Sequence, residues 1–203
     1  MTISKPDFPN GVRTRAVHST QMKLTVKRDA TLEDLETIPA GMNGQLIDGV
    51  LYITARPSNG HALAISALHI ELGPFTKDRK LGWVLLFEPQ VNFGKNVLIG
   101  DLVGWRRERM PVIPNSKHFD LAPDFVCEAL SPSTARIDRG RKREIYAKAK
   151  VGHLWFLDPI HQTLEVLALD KRAYQVVASA GGDDRGRFPP FDAELDLSVL
   201  WSF

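Results

Sequence analysis

Two acidic side chains interrupt apolar segments of the sequence, where a carboxylate is unusual. Asp101 lies within the run Val97–Val103, and Glu128 lies within the run Phe125–Leu130. Because Asp and Glu are almost never buried unless they are paired or bind a metal, both positions are candidates for chemistry. If the two runs are separate strands, the carboxylates can meet side by side and offer the hard oxygen ligands that Mg²⁺ prefers. The pattern is compatible with metal-dependent phosphodiester hydrolysis, although buried acids satisfied by backbone donors or by an ion pair are the commoner case.

A cation is also required, because negative charge develops on phosphate during its hydrolysis. Lys142 is the candidate, since it lies on a helix predicted over about 136–150 with Asp138 and Tyr146 one turn away on either side of the same face. Asp124 is a weaker candidate, because four residues along a strand place it roughly 13 Å from Glu128. Two other interpretations stay open: a buried ion pair of these acids with Lys142, and a solvated helix charge at Lys142.

The segment Pro123–Thr134, followed by Asp138, Lys142 and Tyr146, resembles the bacterial Uma-two restriction endonucleases of the PD-(D/E)XK nuclease superfamily. Shorter matches extend the resemblance over roughly residues 31–201. They are Leu46–Gly49, Pro57 and Ser58 with His61, Asp101, Trp155–Pro159 and Leu195–Leu200.

The resemblance implies a set of site residues. Asp101 and Glu128 would be metal ligands, with the carbonyl of Ala129 as a further ligand, and Lys142 would be the catalytic lysine, here on the helix because Leu130 occupies its usual position. The cofactor would be Mg²⁺ or Mn²⁺, and the substrate DNA. The residues expected around the ligands are Gln45, His61, Asp138 and Tyr146. His61 also has the simpler interpretation of a hydrogen-bonded core or capping histidine.

The chain departs from the family pattern at three positions. Gln45 and Val50 stand where the family usually has glutamates, and Gly100 replaces a proline. Gln45 holds a water molecule as well as a glutamate does, but it brings no charge to a metal. Reduced metal affinity or activity is therefore an expectation from the sequence.

The predicted elements form an α/β fold with a restriction-endonuclease-like core, that is, a mixed central β-sheet flanked by helices, with additional β-hairpins. Asp48-Gly49 predicts a hairpin over 45–54, and His61, Ile65, Leu68 and Leu72 mark one helix face. Residues 31–203 are predicted to be one domain that follows a basic N-terminal arm over 1–30. The remaining predictions are strands over 82–87, 90–93, 97–103, 124–130, 153–157, 163–169 and 174–178, an exposed loop over 105–119 and a mixed tail over 188–201.

Composition limits the function classes without choosing among them. The 203 residues carry a net charge of +2, and 43% of them are hydrophobic, as in ordinary globular proteins. With one cysteine, no signal-peptide pattern and no long apolar stretch, we expect a cytoplasmic protein without a membrane partner. Positive charge concentrates in residues 1–30 and 136–150, which permits DNA binding. The arginines expected to contact DNA are Arg106, Arg107, Arg109, Arg139 and Arg141.

Three functions remain in competition. The leading hypothesis is a Mg²⁺-dependent DNA endonuclease, for which a homodimer would suit double-strand cleavage. The second is a nuclease fold that has lost hydrolysis and serves as a nucleic-acid-binding or interaction module, a possibility motivated by Gln45. The third is a structural protein in which Asp101, Glu128 and Lys142 form a buried ion network.

Overall fold

The computed structural model describes residues 24–54, 57–78, 82–192 and 194–202. Its helices are α1 (Leu32–Glu36), α2 (Asn59–Glu71), α3 (Ala135–Ile137) and α4 (Arg143–Lys148). Its strands are β1 (Thr25–Lys27), β2 (Asn43–Ile47), β3 (Val50–Thr54), β4 (Trp83–Phe87), β5 (Gln90–Phe93), β6 (Asn96–Ile99), β7 (Leu102–Arg106), β8 (His118–Phe119), β9 (Phe125–Ala129), β10 (His153–Asp158), β11 (Thr163–Asp170), β12 (Ala173–Gly181), β13 (Arg185–Arg187) and β14 (Glu194–Asp196).

Most of these strands belong to two six-stranded sheets. The first sheet has the order β1-β3-β2-β6-β5-β8, and the second has the order β12-β11-β10-β9-β7-β4. Both are mixed, because β5 is parallel to β8 and β9 is parallel to β10, while the other pairs are antiparallel. Mixed sheets with few helices confirm the predicted α/β class.

The hairpin predicted from Asp48-Gly49 is present. Ile47 pairs with Val50, so the turn contains two residues. Asp48 and Gly49 have φ angles of 49° and 76°, as required by a tight turn whose twist matches that of its strands. The turn sets the register of β2, and this brings Gln45 beside β6.

The run Val97–Val103, predicted to be one strand, is divided between β6 of the first sheet and β7 of the second. Gly100 and Asp101 form the crossing between the two sheets. A Cβ atom on Gly100 would lie 2.7 Å from Cγ2 of Val103 and 3.0 Å from Cγ1 of Val126, so the crossing has no room for a side chain there. The prediction that Asp101 lies inside a strand is therefore wrong.

The strand that carries Glu128, β9, lies at the centre of the second sheet, as its apolar sequence predicts. It runs antiparallel to β7 and parallel to β10, and all five of its residues are buried. Because strands cover both edges and other elements cover both faces, Glu128 is shielded from water on every side.

The helix predicted over about 136–150 is a helical segment over residues 135–148, with a wider π-turn at Asp138–Lys142 between α3 and α4. Wider turns of this kind inside α-helices occur frequently at functional sites. Asp138 and Lys142 both become buried against β9. In the described part of the chain, no helix is long and apolar enough to span a membrane.

Two segments that lack a clear periodicity nevertheless contribute side chains to the core, although residues 111–118 of the first are exposed, as predicted. The loop predicted over 105–119 begins inside β7, where Trp105 is fully buried. The predicted tail also packs inward: Phe191 contacts Trp155 with a ring-centroid distance of 5.7 Å, and the indole of Trp155 donates to the carbonyl of Pro189 at 2.8 Å. Both corrections have one cause, since aromatic side chains are buried by distant contacts that local patterning does not encode.

The predicted basic arm is described only in part. Residues 1–23 lie outside the described residues. Thr25–Lys27 form β1, which pairs with β3 at the edge of the first sheet. This part of the segment is therefore attached to the folded domain.

Candidate active site

The sheet crossing, β9 and the helical segment bring their polar side chains to one small pocket. The pocket has a volume of about 60 Å³ and combines acidic, basic and amide groups. The residues predicted from the sequence that line it are Gln45, His61, Asp101, Glu128, Ala129, Asp138 and Lys142. Residues from five separate parts of the chain thus meet in one pocket.

Asp101 is held by two donors from different elements. His61 Nε2 of α2 lies 3.0 Å from Oδ1, and the backbone N–H of Ala129 donates to Oδ2 at 2.7 Å. The capping side chain of Ser58 accepts from the backbone N–H of His61 and so fixes the start of α2. Burial lowers the pKa of His61, but the hydrogen bond and charge of Asp101 outweigh burial and raise this pKa above its usual value.

Glu128 is almost completely enclosed, with 3% of its side chain exposed. Both carboxylate oxygens lie 2.7 Å from Nζ of Lys142, and Tyr146 donates its hydroxyl to Oε1 at 2.6 Å. Burial raises the pKa of Glu128, and the Lys142 ammonium opposes that rise without cancelling it. The charged form of Glu128 therefore depends on a nearby positive charge.

Lys142 has no free N–H. Besides Glu128, its ammonium contacts the carbonyl of Ile99 at 2.9 Å and Oδ1 of Asp138 at 3.2 Å. An ammonium has three donors, so the protein satisfies all of them. Burial lowers the pKa of Lys142, but the charges of Glu128, Asp138 and Asp101 outweigh it and keep the ammonium protonated.

The site holds more acids than cations. Asp101, Glu128 and Asp138 face one ammonium, and burial raises the pKa of Asp138 as it does that of Glu128. Removing charges from water costs several kcal/mol per ion unless an opposite charge compensates them. A divalent cation beside Asp101 would supply the missing compensation.

This donor set fits Mg²⁺ or Mn²⁺ better than a metal held entirely by protein. Among the described residues, no group of three His, Cys, Asp or Glu side chains is arranged to hold a metal ion. Mg²⁺ commonly binds through one or two carboxylates and keeps several waters. Asp101, whose side chain is 19% exposed, is more open to such an ion than the buried Glu128 and Asp138.

Gln45 reaches the same site from β2. Its Oε1 accepts a hydrogen bond from the N–H of Ile99 at 3.0 Å, while Lys142 binds the carbonyl of that residue. Gln45 and Lys142 together fix the end of β6 immediately before the crossing. Gln45 therefore performs a positioning role that requires an oxygen but no charge.

The sequence analysis did not predict three other residues that line the pocket: Glu88, Ser131 and Thr134. Glu88 adopts a φ of 44°, and its N–H donates to the carbonyl of Asp101 at 3.2 Å. Ser131 and Thr134 follow the end of β9 and resemble ordinary loop and cap residues. Only their position after the Glu128 strand could have identified them.

None of the arginines expected to contact DNA lines this pocket. Arg106 lies at the far end of β7, roughly 17 Å along the strand from Asp101, with its guanidinium 4.2 Å from the ring of Trp83. Arg109 pairs with Asp124, and the Nε of Arg107 is buried without a hydrogen-bond partner. In the helical segment, Arg139 pairs with Glu165 and Arg141 pairs with Asp48 and Glu144.

The fold and site define a restriction-endonuclease-like α/β protein. The chain belongs to the Uma2 family, described as "putative restriction endonuclease", whose model matches residues 30–199. The fold is also similar to a crystal structure from Anabaena variabilis, described as a putative nuclease belonging to DUF820. The TM-score is 0.69 at 20% sequence identity, and the similarity covers 84% of this chain and 97% of that one. A search of curated proteins finds no match.

Substituting Lys142 tests how strongly the buried charges depend on one another. Lys142→Met leaves Glu128 and Asp138 without compensation, so we expect the free energy of unfolding to fall by about 3–5 kcal/mol. Glu128→Gln in the same chain should restore part of this loss. Denaturant unfolding measures both changes, and Lys27→Met, which breaks the exposed pair with Asp34, should cost less than about 1 kcal/mol. Equal effects of Lys142→Met and Lys27→Met would contradict this account.

Proposed function

We propose that this chain is a divalent-metal-dependent nuclease that hydrolyses phosphodiester bonds of DNA. The observation that carries the proposal is the meeting of Asp101, Glu128 and the buried Lys142 in one pocket of a protein whose family is nuclease-like. Hydrolysis of a phosphodiester needs an activated water and compensation for charge on the phosphate. Carboxylates beside a fixed cation meet both needs.

Asp101 and Glu128 would hold Mg²⁺ or Mn²⁺, with the carbonyl of Ala129 as a third donor. Such an ion, when bound, supplies Lewis-acid stabilisation of the phosphate and lowers the pKa of water. The second reason to place the ion here is charge, because four carboxylate residues line the pocket, against one ammonium and the imidazole of His61.

The surrounding residues orient the two ligands. His61 and the N–H of Ala129 fix the two oxygens of Asp101, and Tyr146 fixes Glu128. Groups that hold a ligating carboxylate in this way restrict its rotation and tune its affinity for metal. These hydrogen bonds hold both carboxylates in the orientations that the structure shows.

Lys142 contributes its charge rather than a hydrogen bond to substrate. Its three N–H groups bind Ile99, Glu128 and Asp138. From this position the ammonium stabilises ionised Glu128 and opposes the charge that develops on phosphate. Of the two roles open to such a lysine, orienting the attacking water or stabilising the transition state, the saturated contacts of Lys142 favour the second.

The second candidate is a DNA-binding protein with impaired hydrolysis. Gln45 supports this candidate, because an uncharged amide occupies the place of a family glutamate and its oxygen is engaged by Ile99. A purely structural ion network is the third candidate, because protein groups occupy all three N–H donors of Lys142. The three candidates differ in whether they cleave DNA and in how tightly they bind metal. Cleavage assays and metal titrations therefore separate them.

Cleavage assays test the nuclease proposal directly. We expect the wild-type protein to nick supercoiled plasmid in Mg²⁺ or Mn²⁺, and Asp101→Asn to abolish nicking while keeping the fold, because the amide retains the shape of the carboxylate without its charge. Asp124→Asn is the matched control, since Asp124 pairs with Arg109 outside the pocket. Thermal melting checks that both variants are folded. Undiminished nicking by Asp101→Asn would refute the assignment, and intact plasmid with bound DNA would favour the binding module.

Metal titration tests the role of Gln45. We expect Gln45→Glu to bind Mn²⁺ about tenfold more tightly than wild type, because the added carboxylate retains an acceptor for Ile99 and brings a negative charge to the pocket. Isothermal calorimetry of both proteins gives the comparison, with Gln162→Glu on the surface as the control. Absence of binding heat from wild type and Gln45→Glu alike would rule out a metal site in this pocket.

A further inference from the structure

A basic groove lies outside the active-site pocket, between the helical segment and the turn that joins β11 to β12. Its volume is about 930 Å³, and six cationic side chains and one acid, Glu144, line it. The cations are Arg139, Arg143, Lys148, Lys150, Lys171 and Arg172. The groove thus uses a different helix face from that of Asp138 and Lys142, and it joins two chain segments that are distant in sequence.

Most of this positive charge is uncompensated. Glu144 is paired with Arg141, which lies outside the groove. Arg143 donates to the carbonyl of Tyr174 at 2.9 Å, which fixes its guanidinium at the groove wall without neutralising it. Lys150, Lys171 and Arg172 are exposed and form no ion pair with any described residue. A surface with this balance attracts polyanions.

Two of the lysines occupy backbone positions that favour glycine. Lys150 ends the helical segment with a φ of 61°, and Lys171 begins the β11–β12 turn with a φ of 55°. Side chains with a Cβ are strained in this left-handed region, whereas glycine is not. Glycine would relieve this strain at both positions, so replacing the two lysines by glycine removes their charge without adding backbone strain.

We propose that this groove binds the phosphate backbone of double-stranded DNA beside the active site, an inference that rests on the proposed nuclease function. The helical segment separates the groove from the pocket: Asp138 lines the pocket, and the next residue, Arg139, lines the groove. A helix is about 10 Å wide, or about three base-pair steps of DNA. One duplex is therefore long enough to occupy both surfaces.

The excess of cations over acids, six to one, makes DNA the partner that we test against an acidic protein. The groove offers exposed, flexible lysines along two of its walls, and such cations act as point charges for phosphates. Sequence-independent binding to the backbone is the mode that these side chains support.

Binding measurements on a glycine double variant test the proposal. We expect Lys150→Gly with Lys171→Gly to bind a labelled DNA duplex at least about tenfold more weakly than wild type at low salt, with a log–log salt dependence shallower by about two. Its melting temperature should equal or exceed that of wild type, because glycine relieves the backbone strain. The control is Lys77→Ala with Lys117→Ala, which removes the same charge from exposed positions outside the groove. Fluorescence anisotropy in EDTA measures binding without cleavage.

The outcomes separate the groove from the nuclease proposal. Equal affinities and salt slopes for the two double variants would overturn the groove while leaving DNA binding by the wild-type protein intact. Tighter binding of polyglutamate than of DNA would overturn it in favour of an acidic protein partner. Failure of the wild-type protein to bind any duplex would overturn the groove and the DNA substrate together, while Mn²⁺ binding would still report on the pocket.

Discussion

The buried contact between Glu128 and Lys142 is the constraint on which the rest of the site depends. Neither residue could remain charged in this position alone, because burial raises the pKa of a carboxyl and lowers that of an ammonium. Together, and with Asp138 and the carbonyl of Ile99, they form a closed set of hydrogen bonds. This set joins the helical segment to β9 and to the end of β6, so that charge and fold are maintained by the same contacts.

The crossing between the two sheets gives the site its second constraint. β6 and β7 belong to different sheets, and the chain passes between them at Gly100 and Asp101. Asp101 therefore lies outside both strands. Hydrogen bonds with His61 and with the N–H of Ala129 fix the orientation of its carboxylate instead. An acid in this position combines a fixed orientation with partial exposure, which suits the proposed role of accepting an ion from solvent.

The sequence specified the strand of Glu128 and the helix of Lys142 well, because both signals are local. An apolar run with one acid predicts a buried strand, and a spacing of four residues places Asp138, Lys142 and Tyr146 on one face. Asp101 lines the pocket but lies between two strands rather than inside one, because an apolar run looks the same whether it forms one strand or two. The positions of the arginines, the burial of the final segment and the basic groove depend on contacts between distant segments, which periodicity does not encode.

The active-site pocket and the basic groove carry opposite charge, in keeping with their proposed roles. The pocket concentrates carboxylates around one ammonium and attracts a cation, whereas the groove concentrates cations and attracts a polyanion. The helical segment contributes side chains to both from different faces, which explains why it is strongly basic and yet buries Asp138. A chain with a net charge of only +2 thereby presents two strongly charged sites.

The central claim is that a divalent ion binds at Asp101 and Glu128, and paramagnetic broadening of backbone amide signals by Mn²⁺ tests it most directly. The account predicts that the amide signals of Asp101, Glu128 and Ala129 broaden first as Mn²⁺ is added. Those of Asp183 and Asp184, an acidic pair in a surface turn, should persist to higher concentrations. Unchanged signals at Ala129, or broadening that begins at Asp183 and Asp184, would contradict the account.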